Sequence, residues 1–319
     1  MALLILVVNA GSTSLKLSVV SAEDASAPVA SLAEVPAGVG AVAHRIVHGG
    51  ARFRKPVVVD AAVERELAEL SELAPLHNAP ALAALDEARR ALPDVPHVAV
   101  FDTAFHATIP DFAHAYAVPA RWRDEWGIRR YGFHGLSVQW ASEQVRVPRL
   151  VVCHLGGGCS VTAVRDGRSV DTTMGFSPLE GVPMATRSGS IDPEVVLHLL
   201  RTRKLQFEEV EGALERESGL LGLSGTSSRV DELEASDDSA ARLALSVFCY
   251  RVACAVGAMA AALGGLDAIA FTGGVGEHSE RVRTDVCERL RFLGDFRIEV
   301  VGAREDVVAA RAVRALLGN

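Results

Sequence analysis

The sequence lacks a surplus of positive charge, a paired-cysteine pattern and any long apolar segment near its start. Its net charge of −8 argues against the basic stripe that nucleic-acid binding requires, so we expect no nucleic-acid partner. The five cysteines form no Cys-x-x-Cys pair and are odd in number, which indicates reduced thiols and a cytoplasmic protein. Residues 2–8 are apolar but too few for a signal sequence or a membrane span. We therefore interpret them as a core strand and expect no membrane association.

Two segments about 145 residues apart share one design, in a chain whose 319 residues suffice for two domains. Residues 3–20 and 150–164 each contain an apolar strand, a turn of small residues and a strand of alternating polarity. Such a turn directs backbone N–H groups at one point, as phosphate-binding turns do, and Lys16 adds a positive charge. A third apolar strand, 268–272, is predicted to lead into another glycine turn, 273–277. The recurrence predicts an internally duplicated α/β protein that binds phosphate.

Hydrophobic periodicity and helix stop signals predict the helices. Their expected ranges are about 60–73, 80–92, 137–145, 239–263, 281–293 and 306–317. The segment 174–193 is expected to be irregular, and a long irregular segment in a compact domain is usually functional.

Six residues have side chains that could together handle two anions: Arg45, Arg187, His134, Asp102, Asn9 and Lys16. Arginine suits carboxylate and phosphoryl oxygens because its charge is permanent and its fork matches their geometry. Asp102 ends a predicted strand, where ligands of α/β sheets gather.

A zinc site at His44 and His48 is the alternative interpretation of one histidine pair. Residues four apart on a strand lie roughly 13 Å from each other, and Gly49-Gly50 interrupts the helix that a zinc pair would need. We therefore expect no zinc there.

Nine segments resemble the successive motifs of the acetate kinase family. They are NAGSTSLKLS, HRIVHGG, LAPLHNAP, VAVFDTAFH, RRYGFHG, HLGGGCSVTAV, MGFSPLEGVPMATRSGSIDPE, SGLLGLSGTSS and FTGGVGEHS. The resemblance implies duplicated ribonuclease H-like domains of the actin-like ATPase fold, with a cleft between them. Residues 1–106 plus 306–319 would form an acyl and phosphate domain, and residues 107–305 a nucleotide-binding domain. It also implies a homodimer.

The activity implied by this resemblance is reversible in-line transfer of a phosphoryl group from ATP to acetate, giving acetyl phosphate and ADP. Mg²⁺ would be the cofactor, with Mn²⁺ able to replace it, and ATP the co-substrate. Two alternatives stay open. One is a kinase for another short carboxylate, such as propionate or butyrate, and the other is a non-catalytic nucleotide-binding relative.

The resemblance also assigns roles to residues by position. Asp102, His134 and Arg187 match catalytic residues, and Arg45 matches the residue that binds the acyl carboxylate. The matched acyl-pocket residues are Val47, Leu76, Phe133 and Pro178, and the metal-side residues are Asn9 and Glu305. The matched nucleotide-binding residues are Lys16, His154, Leu155, Gly156, Gly157, Gly158, Gly274, Val275, Gly276, Glu277 and His278.

The chain departs from the family pattern at the nucleotide end. Gly157 and His278 replace asparagines of the HLGNG and GIGEN motifs, and Arg229 and Asp231 reverse the usual order of charges. Each hydrogen bond to a base contributes about 0.5–1.5 kcal/mol. These changes therefore predict weak discrimination among nucleoside triphosphates.

Overall fold

Two mixed β-sheets with flanking helices form the architecture of this computed structural model. It describes residues 3–10, 15–70 and 75–318, with residues 75–77 described by their backbone alone. The strands are β1 Leu4–Ala10, β2 Leu15–Val20, β3 Ser26–Val29, β4 Val39–Ile46, β5 Val57–Val58, β6 His97–Phe101, β7 Arg149–Leu155, β8 Cys159–Arg165, β9 Arg168–Thr172, β10 Ala268–Thr272 and β11 Arg297–Val300. The α-helices are α1 Ala61–Leu70, α2 Pro75–Ala91, α3 Asp111–His114, α4 Ala120–Asp124, α5 Gly135–Gln144, α6 Pro193–His198, α7 Phe207–Arg216, α8 Gly219–Ser224, α9 Val230–Glu234, α10 Ser239–Leu263, α11 Gly273–His278, α12 Glu280–Glu288 and α13 Glu305–Leu317.

The two sheets repeat one topology. The first has the order β3-β2-β1-β4-β6-β5 and the second the order β11-β10-β7-β8-β9. In the first, β1, β4 and β6 are parallel, while β2 and β3 extend from β1 as an antiparallel meander. In the second, β7, β10 and β11 are parallel, and β8 and β9 form the matching meander. The duplication that the two hairpins predicted is therefore present in the described part of the chain.

The first strand shows why a continuous apolar run belongs at the centre of a sheet. Alternate side chains of β1 point to opposite faces, so Ile5 and Val7 enter one core and Leu6 and Val8 enter another. Residues of α2 cover the second core, and residues of α13 cover the first. A helix from the far end of the chain thus completes the first sheet.

The chain packs as two compact units. Unit 1 contains residues 1–107, 133–140 and 304–319, and unit 2 contains residues 108–132 and 141–303. The predicted domains differ from this division at residues 107, 133–140 and 304–305, which belong to unit 1.

Helix α10 forms the centre of unit 2. The prediction for it is confirmed at both ends, and it stops at Gly264, whose φ of +70° is the left-handed conformation typical of a helix end. The helix packs against β7, β8 and β9 of the second sheet and against α8, α9 and α12. The helix is long enough to span a membrane, and an 18-residue window of it has a mean hydropathy of 1.8; half of that window is buried inside the protein.

Three predictions of local structure are wrong. The helix expected over 281–293 is α12, which ends at Glu288. Helix α2 begins at Pro75 rather than Pro80, because proline is well accommodated in the first turn and Pro80 then interrupts only the second. The predicted glycine turn 273–277 is the short helix α11. Gly273 has a φ of +78°, and an added Cβ there would lie 2.7 Å from the carbonyl oxygen of Leu155, so glycine permits the abrupt change from strand to helix.

A histidine pair lies buried between the first sheet and its helices. His44 Nε2 lies 2.9 Å from His97 Nδ1, and His97 Nε2 donates to the carbonyl of Leu92. Because His97 donates through Nε2, its Nδ1 accepts a hydrogen bond from Nε2–H of His44. Burial lowers the pKa of His44 to about 3, with His97 and Arg89 on α2 adding to the effect. Burial also lowers the pKa of His97.

We expect this pair to make the protein acid-sensitive. Folding lowers the pKa of His44 from 6.5 to about 3, so the buried ring resists protonation. The folded protein keeps its full stability above pH 6.5 and loses stability as the pH falls below that value. Linkage gives a loss of about 2 kcal/mol in the free energy of unfolding at pH 5. The measurement is the urea midpoint at pH 7.5 and pH 5. The double variant His44→Leu/His97→Met should lose less stability over that interval, and an equal loss would contradict this assignment.

Candidate active site

The carboxyl ends of β1, β4 and β6 bring four polar side chains together in unit 1. Asn9 and Arg45 are register partners on β1 and β4, and Asp102 follows the last residue of β6. Glu305, the first residue of α13, joins them because that helix packs across the same sheet. Strand ends are where open α/β sheets bind ligands.

Arg45 is the centre of this cluster. Its Nε and Nη2 donate to the two carboxylate oxygens of Asp102 over 3.0 and 2.5 Å, a bidentate pair in which the aspartate side chain is only 1% exposed. Its Nη1 donates to Asn9 Oδ1 at 2.9 Å and lies 3.5 Å from Glu305 Oε2. Burial disfavours the charged guanidinium, but Asp102 and Glu305 outweigh it and raise the pKa of Arg45. The guanidinium is thus a fixed positive charge at the sheet edge.

Three of the predicted acyl-pocket residues, Val47, Leu76 and Phe133, belong to unit 1. Val47 is buried just beyond β4, and Phe133 is 1% exposed. The ring of His48 packs against Phe133 edge to face, with the ring centroids 5.3 Å apart. Leu76 lies on α2, but its side chain is outside the described part of the structure.

The loop before α5 holds His134 in an unusual conformation. Its φ is +59°, and its carbonyl accepts the N–H of Val138 in the first turn of α5. Gly135 donates to the carbonyl of Asp102, and an added Cβ would lie 2.0 Å from that oxygen. This close approach ties the backbone at His134 to the backbone at Asp102.

His106 is a supporting residue that sequence reasoning missed, although it stands inside the VFDTAFH motif. It is buried, and its Nε2 donates to the carbonyl of Phe133 at 2.9 Å. Burial lowers its pKa to about 4, so the ring is neutral at physiological pH. His106 therefore supports the loop that carries His134.

Arg187 lies in unit 2, within the irregular segment that the sequence predicted. Its Nε lies 3.3 Å from Glu215 Oε2 at the end of α7, and both side chains are more than four-fifths buried. Its Nη1 donates to the carbonyl of Pro178, which is itself buried. Burial raises the pKa of Glu215, and Arg187 opposes that shift. Glu215 was not predicted because no motif marks it.

A second arginine, Arg130, forms hydrogen bonds to the irregular segment that contains Arg187. Arg130 Nη1 donates to the carbonyls of residues 172, 173 and 174, and its Nη2 donates to Glu180 at 3.0 Å. The hydroxyl of Tyr116 donates to Glu180 and accepts the N–H of Phe176. An added Cβ at Gly175 would overlap both Glu180 and Tyr116. This network fixes the backbone that leads to Pro178 and Arg187.

A cavity of about 510 Å³ in unit 2 brings together the two glycine segments assigned to the nucleotide. It is lined by Gly156, Gly157, Ala185, Ser228, Arg229, Val230, Asp231, Glu234, Gly274, Val275, His278 and Ser279. The volume is in the range of small-molecule sites. Arg229 pairs with Asp231 at 2.5 Å, and the Nδ1 of His278 donates to the carbonyl of Gly274. The departures from the family pattern therefore face one cavity.

Other residues assigned to the nucleotide do not line this cavity. They are His154, Leu155, Gly158, Gly276, Glu277 and, in unit 1, Lys16. Glu277 accepts the N–H groups of Gly273 and Ala303, which joins the start of α11 to the segment before α13. Lys16 is exposed on β2, opposite Asn9 in the register.

The profile of the acetokinase family matches residues 30–313. The chain belongs to the acetokinase family. It is 48% identical to an acetate kinase of Nostoc punctiforme over 264 residues, which are 79% of this chain and 65% of that protein. The chain thus spans just under two thirds of the length of that relative.

Solved structures of acetokinase relatives share the fold. A propionate kinase from Francisella tularensis is 31% identical, with a TM-score of 0.89, over 97% of this chain and 98% of that one. An acetate kinase from Porphyromonas gingivalis is 29% identical, with a TM-score of 0.86, over 99% of this chain and 100% of that one. These matches confirm the predicted family and the duplicated α/β fold of actin-like ATPases.

Proposed function

We propose that this acetokinase family member phosphorylates acetate with ATP, giving acetyl phosphate and ADP by reversible in-line transfer in the cytoplasm. The observation that carries the proposal is the guanidinium of Arg45, held by Asp102, Asn9 and Glu305 at the carboxyl ends of three parallel strands. Guanidinium matches a carboxylate in charge and geometry. As the family implies, the protein acts as a homodimer.

The carboxylate of acetate is already ionised at neutral pH, so its attack on a phosphoryl group needs no general base. Asp102 supports this mechanism because both of its carboxylate oxygens accept hydrogen bonds from Arg45. Its proposed role is to orient Arg45 rather than to move a proton. His134 and Arg187 are proposed to donate hydrogen bonds to the transferring group, whose equatorial oxygens carry the charge of the transition state.

The donor chemistry at the end of β1 fits Mg²⁺. Asn9 offers an amide oxygen and Glu305 a carboxylate, the hard oxygen ligands that Mg²⁺ and Mn²⁺ prefer. The two side chains already lie together, since Asn9 Nδ2 donates to Glu305 at 3.3 Å. An ion held by Asn9 and Glu305 would neutralise negative charge on the phosphates of the nucleotide. We propose that Lys16, opposite Asn9 on β2, holds the nucleotide phosphates.

Propionate is the second candidate substrate, because one structural relative is described as a propionate kinase. Val47 and Phe133 are both buried, and we propose that they limit the length of the acyl chain. One methylene changes discrimination by about 1–3 kcal/mol, so propionate should still react.

We expect kcat/KM for acetate to exceed that for butyrate by roughly ten-fold or more, given about 1–3 kcal/mol per methylene. Acyl phosphate is trapped with hydroxylamine in assays containing ATP, Mg²⁺ and acetate, propionate or butyrate. Equal or higher kcat/KM with butyrate would contradict the small pocket. Absence of acyl phosphate with all three acids, together with nucleotide binding, would favour a non-catalytic nucleotide-binding protein.

A further inference from the structure

Asn78 belongs to the LAPLHNAP segment, to which the proposed mechanism assigns no side chain except Leu76. It lies on α2 and is 1% exposed. Its Oδ1 accepts the backbone N–H of His48, and its Nδ2 donates to the backbone carbonyl of the same residue, both over 3.0 Å. The amide therefore pairs with both polar groups of one peptide segment, as a neighbouring strand would.

The pairing lies where the sheet stops supporting the chain. β4 ends at Ile46, so the next residues have left the strand that carries Arg45. Beyond the strand, Gly49 donates to the Thr103 hydroxyl at 3.1 Å, and Gly50 donates to His48 Nδ1 at 2.9 Å. The Asn78 amide is thus the link between helix α2 and this segment.

The fixed segment borders the acyl-binding residues on both sides. Val47 directly precedes His48, and the ring of His48 packs against Phe133. Thr103, which holds Gly49, directly follows Asp102. A change in the position of His48 would therefore be transmitted to Val47 and Phe133, while the nucleotide cavity of unit 2 contains none of these residues.

We propose that Asn78 is a positioning residue for the acyl substrate, acting through the backbone and ring of His48. The inference rests on the proposed acetate kinase function. This positioning role requires a side chain at position 78 that has one hydrogen-bond donor and one acceptor in one plane. Loss of that pairing should weaken the use of acetate and leave the use of ATP unchanged.

The test uses Asn78→Asp, which has the same shape. An ionised aspartate accepts the N–H of His48 but cannot donate to its carbonyl, whereas a protonated aspartate does both. Burial raises the pKa of a carboxyl group, so the protonated form should appear near neutral pH. We expect kcat/KM for acetate at pH 8 to fall roughly ten- to a hundred-fold below wild type, as for loss of about 1–3 kcal/mol. The ratio of variant to wild type should recover as the pH falls to 6.

The matched control is Asn78→Ala, which lacks both groups and should show a reduced ratio at pH 6 and pH 8 alike. Hydrogen exchange at the His48 amide gives a readout independent of activity, and it should be faster in Asn78→Ala than in wild type. An unchanged exchange rate, a pH-independent ratio for Asn78→Asp, or an equal rise in KM for ATP would each overturn the inference. If the wild type were inactive toward acetate, the proposed function would be contradicted. The hydrogen-exchange comparison would still test the pairing of Asn78 with His48, because it does not depend on activity.

Discussion

Replacing Arg187 with alanine should lower kcat for acetate phosphorylation by roughly 10²–10³-fold, as loss of an oxyanion donor does. The guanidinium is held in place by Glu215 and the carbonyl of Pro178, so it is oriented before the reaction begins. A preoriented donor that meets charge only in the transition state changes kcat more than KM. The measurement is steady-state kinetics with varied acetate and with varied ATP.

The matched control for Arg187 is Glu215→Gln, which keeps the guanidinium and removes its ion partner. We expect this variant to lose roughly ten-fold in kcat, as for about 1.4 kcal/mol. A wild-type kcat in Arg187→Ala would remove the residue from the mechanism.

Replacing Arg45 with alanine should act mainly on KM for acetate, which should rise roughly ten- to a hundred-fold, as for about 1.5–3 kcal/mol from a charge-assisted bond. Acetate is charged before the reaction as well as during it, so its partner contributes to binding in both states. The variant should also be less stable, because Asp102 is 1% exposed and loses its bidentate partner.

The double variant Arg45→Ala/Asp102→Asn separates these two effects. It removes the buried uncompensated charge, so its melting temperature should recover toward wild type while KM for acetate stays high. A KM for acetate that is unchanged in Arg45→Ala would contradict the carboxylate-binding role of Arg45.

The sequence predicted elements whose signals are local. Examples are the apolar run before Asn9, the small-residue turn after Leu155 and the helix over 239–263. Each signal depends on adjacent residues, and each predicted the element found. The signals at Pro80 and Gly273–Gly276 gave wrong predictions. Proline fits the first turn of a helix, so Pro80 was taken as the start of α2. Glycines are typical of turns, so Gly273–Gly276 were not expected to be helical.

Side-chain partners distant in sequence could not be predicted in the same way. The family motif marked Asp102 as catalytic but not its partner, and the contact with Arg45 depends on the parallel register of β4 and β6. Glu215 and Tyr116 stand in no motif, and their roles arise only when α7 and the 108–132 segment pack against the loop of Arg187.

Helix α13 has a consequence for how the protein is made. Its residues Val307, Val308 and Val313 cover the face of the sheet formed by Ile5 and Ala43. On the ribosome the three parallel strands emerge roughly 200 residues before this helix, an interval on the order of 10–40 s at common translation rates. Until then, of the helices that contribute to this core, α5 alone has been synthesised, through Leu136. Because α13 also begins with Glu305, completion of the core and arrival of the last charged group at Arg45 coincide in time.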